Sequence, residues 1–153
     1  MTPVLAPLVL LANGLTAGVM FSTVIGLVPW TMTLPYERYV QAIQFLWPRY
    51  DPFMPIVNVL TVIADILLAV TAPEAASRFL YGTAATLLTV VMAISVIKNV
   101  PINKYVISLD PAARPDDWGE RDPRRSWRAW NLARTLIALL ALGTNAVATA
   151  TLI

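Results

Sequence analysis

The chain contains neither cysteine nor histidine. Without cysteine, no disulfide framework, haem thiolate or iron–sulfur cluster can be built from it. Without histidine, His-dependent zinc sites, haem held by His and the two-His-one-carboxylate iron triad are excluded within a single subunit. Charge is scarce too. Asp, Glu, Lys and Arg make up 13% of the 153 residues, against roughly 25% in a soluble domain, while 58% are hydrophobic. Such a chain has too little polar surface to cover itself in water, and it reads as a membrane protein of one domain.

What is present is a set of long oily runs. About 20 apolar residues cross a bilayer as a helix, and four segments qualify: about 3–30, 52–72, 76–98 and 123–153. No basic side chain precedes the first run, which is too long for a signal-peptide core, so it reads as a permanent span. The last is expected to start near Pro123, because Asp122-Pro123 resembles an N-cap followed by proline at the first helical position. The short link Ala72–Ala75 makes spans two and three an antiparallel hairpin. Residues 35–48 place Tyr39, Val40, Ile43, Leu46 and Trp47 at helical spacing, with Glu37, Arg38, Gln41 and Gln44 on much of the other face. This stretch is too short to span and reads as an interfacial helix anchored by Tyr and Trp. The predicted fold is an all-α, four-transmembrane-helix antiparallel bundle with a short interfacial helix between helices 1 and 2. No internal repeat, phosphate loop or low-complexity tract stands out.

Ten of the eleven Lys and Arg fall in the loops after spans one and three or on the span ends beside them, and only Arg78 lies on the other side. The positive-inside rule then puts loops 31–51 and 99–122 in the cytoplasm and both termini outside the cell membrane. Small residues Gly14, Gly18, Ser22 and Gly26 recur every four positions along span one, a pattern that lets helices approach closely in lipid. They are expected either to seat span one against span three, through Gly82, Thr86 and Ala93, or to join a second copy as a homo-oligomer. No feature points to a nucleic-acid partner.

The long polar interval Lys98–Arg134 holds eight of the eleven Lys and Arg and three of the five Trp. Trp127, Trp130, Asn131 and Arg134 stand at i, i+3, i+4 and i+7, on one helix face. Two indoles, an amide and a guanidinium suit a flat, electron-rich anionic ligand; stacking and cation–π contacts hold the ring, while Arg and Asn hold an oxyanion. The bland alternative is that they are interface anchors. Pro101 disfavours helix at Val100, so span three should end near Asn99 and bring Asn99 and Asn103 to the level of Arg134. Residues 104–122 then read as a connector. Span two directs Asn58, Thr61 and Asp65 along one stripe. Asp65 lies ~20 Å from the start of that span at ~1.5 Å per residue, beyond the middle of the membrane. An intramembrane carboxylate is a functional candidate by default, the alternative being a protonated group bonded to Asn13 or Asn145.

The Asn99-x-Pro101-Ile102-Asn103 element after the third span, paired with Arg124-x-x-Trp127-x-x-Trp130-Asn131-x-x-Arg134, resembles the anthrone oxygenase-like family of small four-span membrane proteins. The Gly-rich first span followed by Pro35-Tyr36-Glu37-Arg38-Tyr39 is similar too. The resemblance implies oxidation of an anthrone-like, lipophilic aromatic polyketide to a quinone, with dioxygen as co-substrate and no cofactor or metal. Such a reaction needs a proton acceptor, oxyanion stabilisation and a dry pocket. On this view Arg134, Asn131 and Asn103 stabilise the oxyanion, Asp65 or else Glu37 takes the proton, and Trp127, Trp130, Asn99, Asn58 and Tyr36 bind the substrate. The competing expectations are an acid–base isomerase or cyclase on a lipophilic intermediate, and a non-catalytic assembly or transport accessory protein with no enclosed apolar cavity beside Arg134.

Overall fold

Runs of Leu, Val, Ile and Ala placed in a bilayer find no water for their peptide groups, and a helix satisfies those groups internally. The computed structural model, which describes residues 2–152, has helices as its only regular structure, with no strand among the described residues. Four helical runs are long and apolar enough to cross a membrane: Thr2–Thr33, Tyr36–Thr71, Ala75–Ile107 and Trp118–Ala150. The chain is a multi-pass membrane protein. The expected end of the fourth span at Ile153 lies outside the described residues.

The first run comprises α1 (Thr2–Ser22), a π-turn (Thr23–Leu27) and α2 (Val28–Thr33). The second breaks at Asp51-Pro52 into α3 (Tyr36–Tyr50) and α4 (Phe53–Thr71). The third comprises α5 (Ala75–Ile94), a second π-turn (Ser95–Asn99) and α6 (Val100–Ile107). A short α7 (Trp118–Arg121) precedes α8 (Arg124–Ala150). Helices α1, α4, α5 and α8 form a ring in which each packs on two neighbours, α1 on α4 and α8, and α5 on α4 and α8.

Span one therefore meets spans two and four, not span three. Its inward stripe is Val9, Asn13, Ala17 and Met20. The small-residue stripe is one residue, or about 100°, further round the helix. Gly14 meets only Leu142 Cδ1 at 3.9 Å, and added methyl groups at Gly18 and Gly26 would touch nothing within 4 Å. Seating Asn13 inside turns the glycines out.

Pro101 does not end span three. A helix-interior proline lacks an N–H, and its ring crowds the carbonyl four residues back. Widening the preceding turn to the π geometry accommodates both, and the helix runs on to Ile107. Pro29 stands in the same relation to the first π-turn. The sequences match: Thr23-Val24-Ile25-x-x-Val28-Pro29 and Ser95-Val96-Ile97-x-x-Val100-Pro101. In each, the leading hydroxyl donates to the carbonyl four residues earlier, Thr23 Oγ1 to Val19 at 2.9 Å and Ser95 Oγ to Val91 at 2.8 Å. An internal repeat is present after all, and it sits at opposite corners of the ring.

The polar interval is more ordered than a connector. Trp118 is 2% exposed and belongs to an apolar cluster with Val28, Tyr39, Val40, Ile43, Val106 and Trp127. Gln44 Nε2 donates to the carbonyls of Ile107 and Leu109 at 3.2 and 2.9 Å, tying α3 to the end of α6. Arg124 is held by Asp122 and donates Nη1 to the carbonyls of Thr31 and Leu34 at 3.2 and 2.8 Å, clamping the end of α2 to the start of α8. So α3, α6 and α7 make a cap across one end of the bundle.

Candidate active site

Under that cap lies a cavity of about 300 Å³, at the lower end of the range for small-molecule pockets. Its wall is drawn from both π-turns, the α3–α4 break and α8: Thr23 and Leu27; Ser95, Asn99 and Val100; Trp47, Asp51, Met54 and Asn58; Trp127 and Arg134, with Met20, Met92 and Asn103 beside them. A π-turn rotates the following side chains relative to a regular helix, which is why such turns often occur at functional sites. Here they aim Asn99 and Ser95 inward.

Arg134 is the polar centre. Its Nη1 donates to Ser95 Oγ at 3.0 Å and its Nη2 to Asn131 Oδ1 at 2.6 Å. Its Nε is buried without a partner, and no carboxylate forms a salt bridge with it among the described residues. Asn99 is 1% exposed, and neither its Nδ2 nor its Oδ1 has a partner. Asn58 Nδ2 donates to Met54 O at 3.0 Å, leaving Oδ1 unpartnered. Buried polar groups are nearly always paired, so a cluster of unpaired ones on a cavity wall calls for a ligand or water.

The structure thus brings Arg134, Asn103, Asn99, Asn58 and Trp127 to one wall and places the other candidates elsewhere. Asn131 lies behind Arg134: its Nδ2 donates to Trp127 O at 2.7 Å while its Oδ1 holds the guanidinium, so it positions rather than contacts a ligand. Trp130 is off the wall, with Lys98 Nζ 5.1 Å from its ring centroid. At about 100° per residue, Trp127 and Arg134 project within about 20° of each other, whereas Trp130 is about 60° from Trp127. Tyr36 is 7% exposed, donates its hydroxyl to Asp110 O at 2.9 Å and packs edge-on against Trp118 at 4.8 Å. It supports the cap. Glu37 is exposed and accepts from Gln41 Nε2 at 3.2 Å. Asp65 is buried outside the cavity and accepts from Asn145 Nδ2 at 3.3 Å.

The carboxylate that does line the cavity is Asp51, half-buried at the break between α3 and α4. No periodicity marks Asp51 in the sequence, although its place immediately before Pro52 biases it out of the helix and is a detectable signal. Trp47, expected as a headgroup anchor, also faces the cavity. No group of three or more Asp and Glu suited to hold a metal occurs among the described residues.

No curated protein and no solved structure matches this chain. A family model described as anthrone oxygenase matches residues 44–144, a stretch that runs from the middle of α3 through most of α8 and contains most of the cavity wall. With that match covering most of its length, the chain belongs to the anthrone oxygenase family.

Proposed function

We propose that the cavity is the active site of a membrane-bound oxygenase that converts an anthrone-like aromatic to a quinone with dioxygen and without a cofactor. The observation that carries this reading is the pairing of unpartnered, buried donors, Arg134 Nε and Asn99 Nδ2, with walls of Trp, Met and Leu. Apolar walls suit a fused-ring substrate, and fixed donors in a site with little water stabilise an oxyanion strongly. Asp51 takes a proton from the methylene opposite the carbonyl, and the resulting enolate oxygen is held by Arg134 and Asn99, with Asn103 alongside. The electron-rich enolate passes one electron to dioxygen; recombination gives a peroxide at that carbon, which loses water to leave the second carbonyl. One substrate and one dioxygen yield one quinone and one water.

The family match supports oxygenase chemistry, and a largely apolar cavity beside Arg134 is not what a non-catalytic accessory protein requires. An isomerase or cyclase would use the same acid–base groups but consume no oxygen. In this reading both termini lie outside the cell membrane and the cap faces the cytoplasm, the orientation that the distribution of Lys and Arg favours. Anaerobic mixing with anthrone separates the steps. Wild type should bind it and develop the red-shifted absorbance of the enolate, which admitted oxygen converts to quinone. Asp51→Asn should bind with little enolate and turn over about 10²–10⁴-fold more slowly, the usual contribution of a general base. Equal enolate formation in the two proteins would remove Asp51 from the mechanism.

A further inference from the structure

A second polar cluster lies deeper in the bundle, away from the cavity. One apolar cluster joins Val9, Leu68, Tyr81 and Ala148, and another joins Ala17, Met20, Val91 and Ala138. Between them, each one helical turn from its residue in the first cluster, Val9, Leu68 or Ala148, stand Asn13 on α1, Asp65 on α4 and Asn145 on α8, all 0% exposed. The α5 corner of this layer carries the small, fully buried Ala84.

The hydrogen-bond count in the layer does not balance. Asn145 Nδ2 donates to Asp65 Oδ2 at 3.3 Å. Three oxygens, Asn13 Oδ1, Asp65 Oδ1 and Asn145 Oδ1, then accept nothing, and Asn13 Nδ2 donates to nothing; the two amides offer about four N–H hydrogens against about eight oxygen lone pairs, so acceptor capacity is in excess. Turning an Asn amide over exchanges its oxygen and nitrogen but leaves the excess of acceptors unchanged. The nearby hydroxyls add none to the donor side, because Thr61 donates to Val57 O at 2.8 Å and Thr16 to Asn13 O at 3.1 Å. Their lone pairs enlarge the excess instead. A carboxylate with an unpartnered oxygen, in the same layer as two unpartnered amide oxygens deep in an apolar bundle, is costly unless a positive guest joins it.

Carboxylate and carbonyl oxygens favour hard cations. A single carboxylate neutralises a single charge, whereas a divalent ion would leave one charge uncompensated in a medium where charge is expensive. We propose that Asp65, Asn13 and Asn145 form a binding site for a small monovalent cation, with sodium as its probe, inside the bundle. This site is independent of the chemistry assigned to the cavity under the cap.

The test uses the full-length protein in detergent. Thermal unfolding is followed in sodium, lithium, potassium and choline chloride at equal ionic strength, and retained radioactive sodium is counted after choline equilibration. The expected result is a saturable rise in Tm of several degrees with an alkali cation relative to choline, since a ligand of the native state alone stabilises it. About one sodium ion should be retained per chain. Asp65→Asn, which keeps the side-chain size, should lose both effects. No retained sodium together with identical unfolding in all four salts would overturn the proposal and assign Asp65 a proton instead. Cation dependence that survives in Asp65→Asn would overturn it too. If that variant fails to fold, the sodium count on the wild-type chain still decides.

Discussion

At the scale of single residues, the site depends on one guanidinium held from behind. Ser95 and Asn131 occupy both Nη groups of Arg134 and leave Nε for a ligand. Asn131→Ala should therefore lower kcat more than it raises KM, since it releases Arg134 without removing a substrate contact, and steady-state kinetics check this split. The two tryptophans should separate as well. Trp127→Ala strips a cavity wall and should cost at least tenfold in kcat/KM, whereas Trp130→Ala should stay within about threefold, because its ring meets Lys98 outside the cavity. Much of this cluster was legible in the sequence, since amides, indole and guanidinium at helical spacing in a polar interval mark a site by chemistry alone. Asp51 was not. Its orientation depends on how the chain breaks between α3 and α4, and periodicity carries no signal across a break. Asp65 has the chemistry of a base, but its depth, legible already from its distance along span two, belongs to the bundle's interior layer rather than to the cap.

At the scale of elements, prolines that would ordinarily end helices are absorbed by π-turns, and those turns shape the cavity. Sequence rules for proline gave the wrong end for span three because they treat the preceding turn as a regular α-helix. The matching hydroxyl-Val-Ile-x-x-Val-Pro segments were visible in the sequence, but only the shared geometry gives the repeat meaning. The cap was underread as well. Trp118 lies in a stretch of Asp, Arg and Pro that looks like linker, and nothing local reveals that its indole reaches Tyr36 and Tyr39 on a distant helix. Trp118→Ala should destabilise the protein by about 3–5 kcal/mol, as truncation of a buried aromatic does, read as a lowered midpoint in denaturant. Tyr36→Phe should cost only about 1 kcal/mol, one hydrogen bond, and leave turnover intact. A loss of activity in Tyr36→Phe without a loss of stability would return that residue to the substrate-binding set.

At the scale of the whole molecule, oily runs of bilayer length dictate an all-α bundle, and here composition was sufficient. The order of helices around the ring was harder. Small residues suggested the wrong neighbour for span one, because buried Asn13 outranks glycine in deciding which face turns inward. The absence of cysteine makes topology directly measurable. A cysteine placed at Gln41 or Asp116 should resist a membrane-impermeant maleimide in intact cells, and one at Glu74 should react; the reverse pattern would invert the orientation. The central claim joins the cap, the cavity and Arg134 into an oxygenase site, and oxygen uptake with anthrone, recorded beside quinone absorbance, tests it most directly. Wild type should consume one dioxygen per quinone formed, and Arg134→Gln, folded to the same midpoint, should be slower by about 10²–10³, as for loss of an oxyanion donor. Wild-type turnover of bound anthrone without oxygen uptake, or equal rates in the two proteins, would contradict the account.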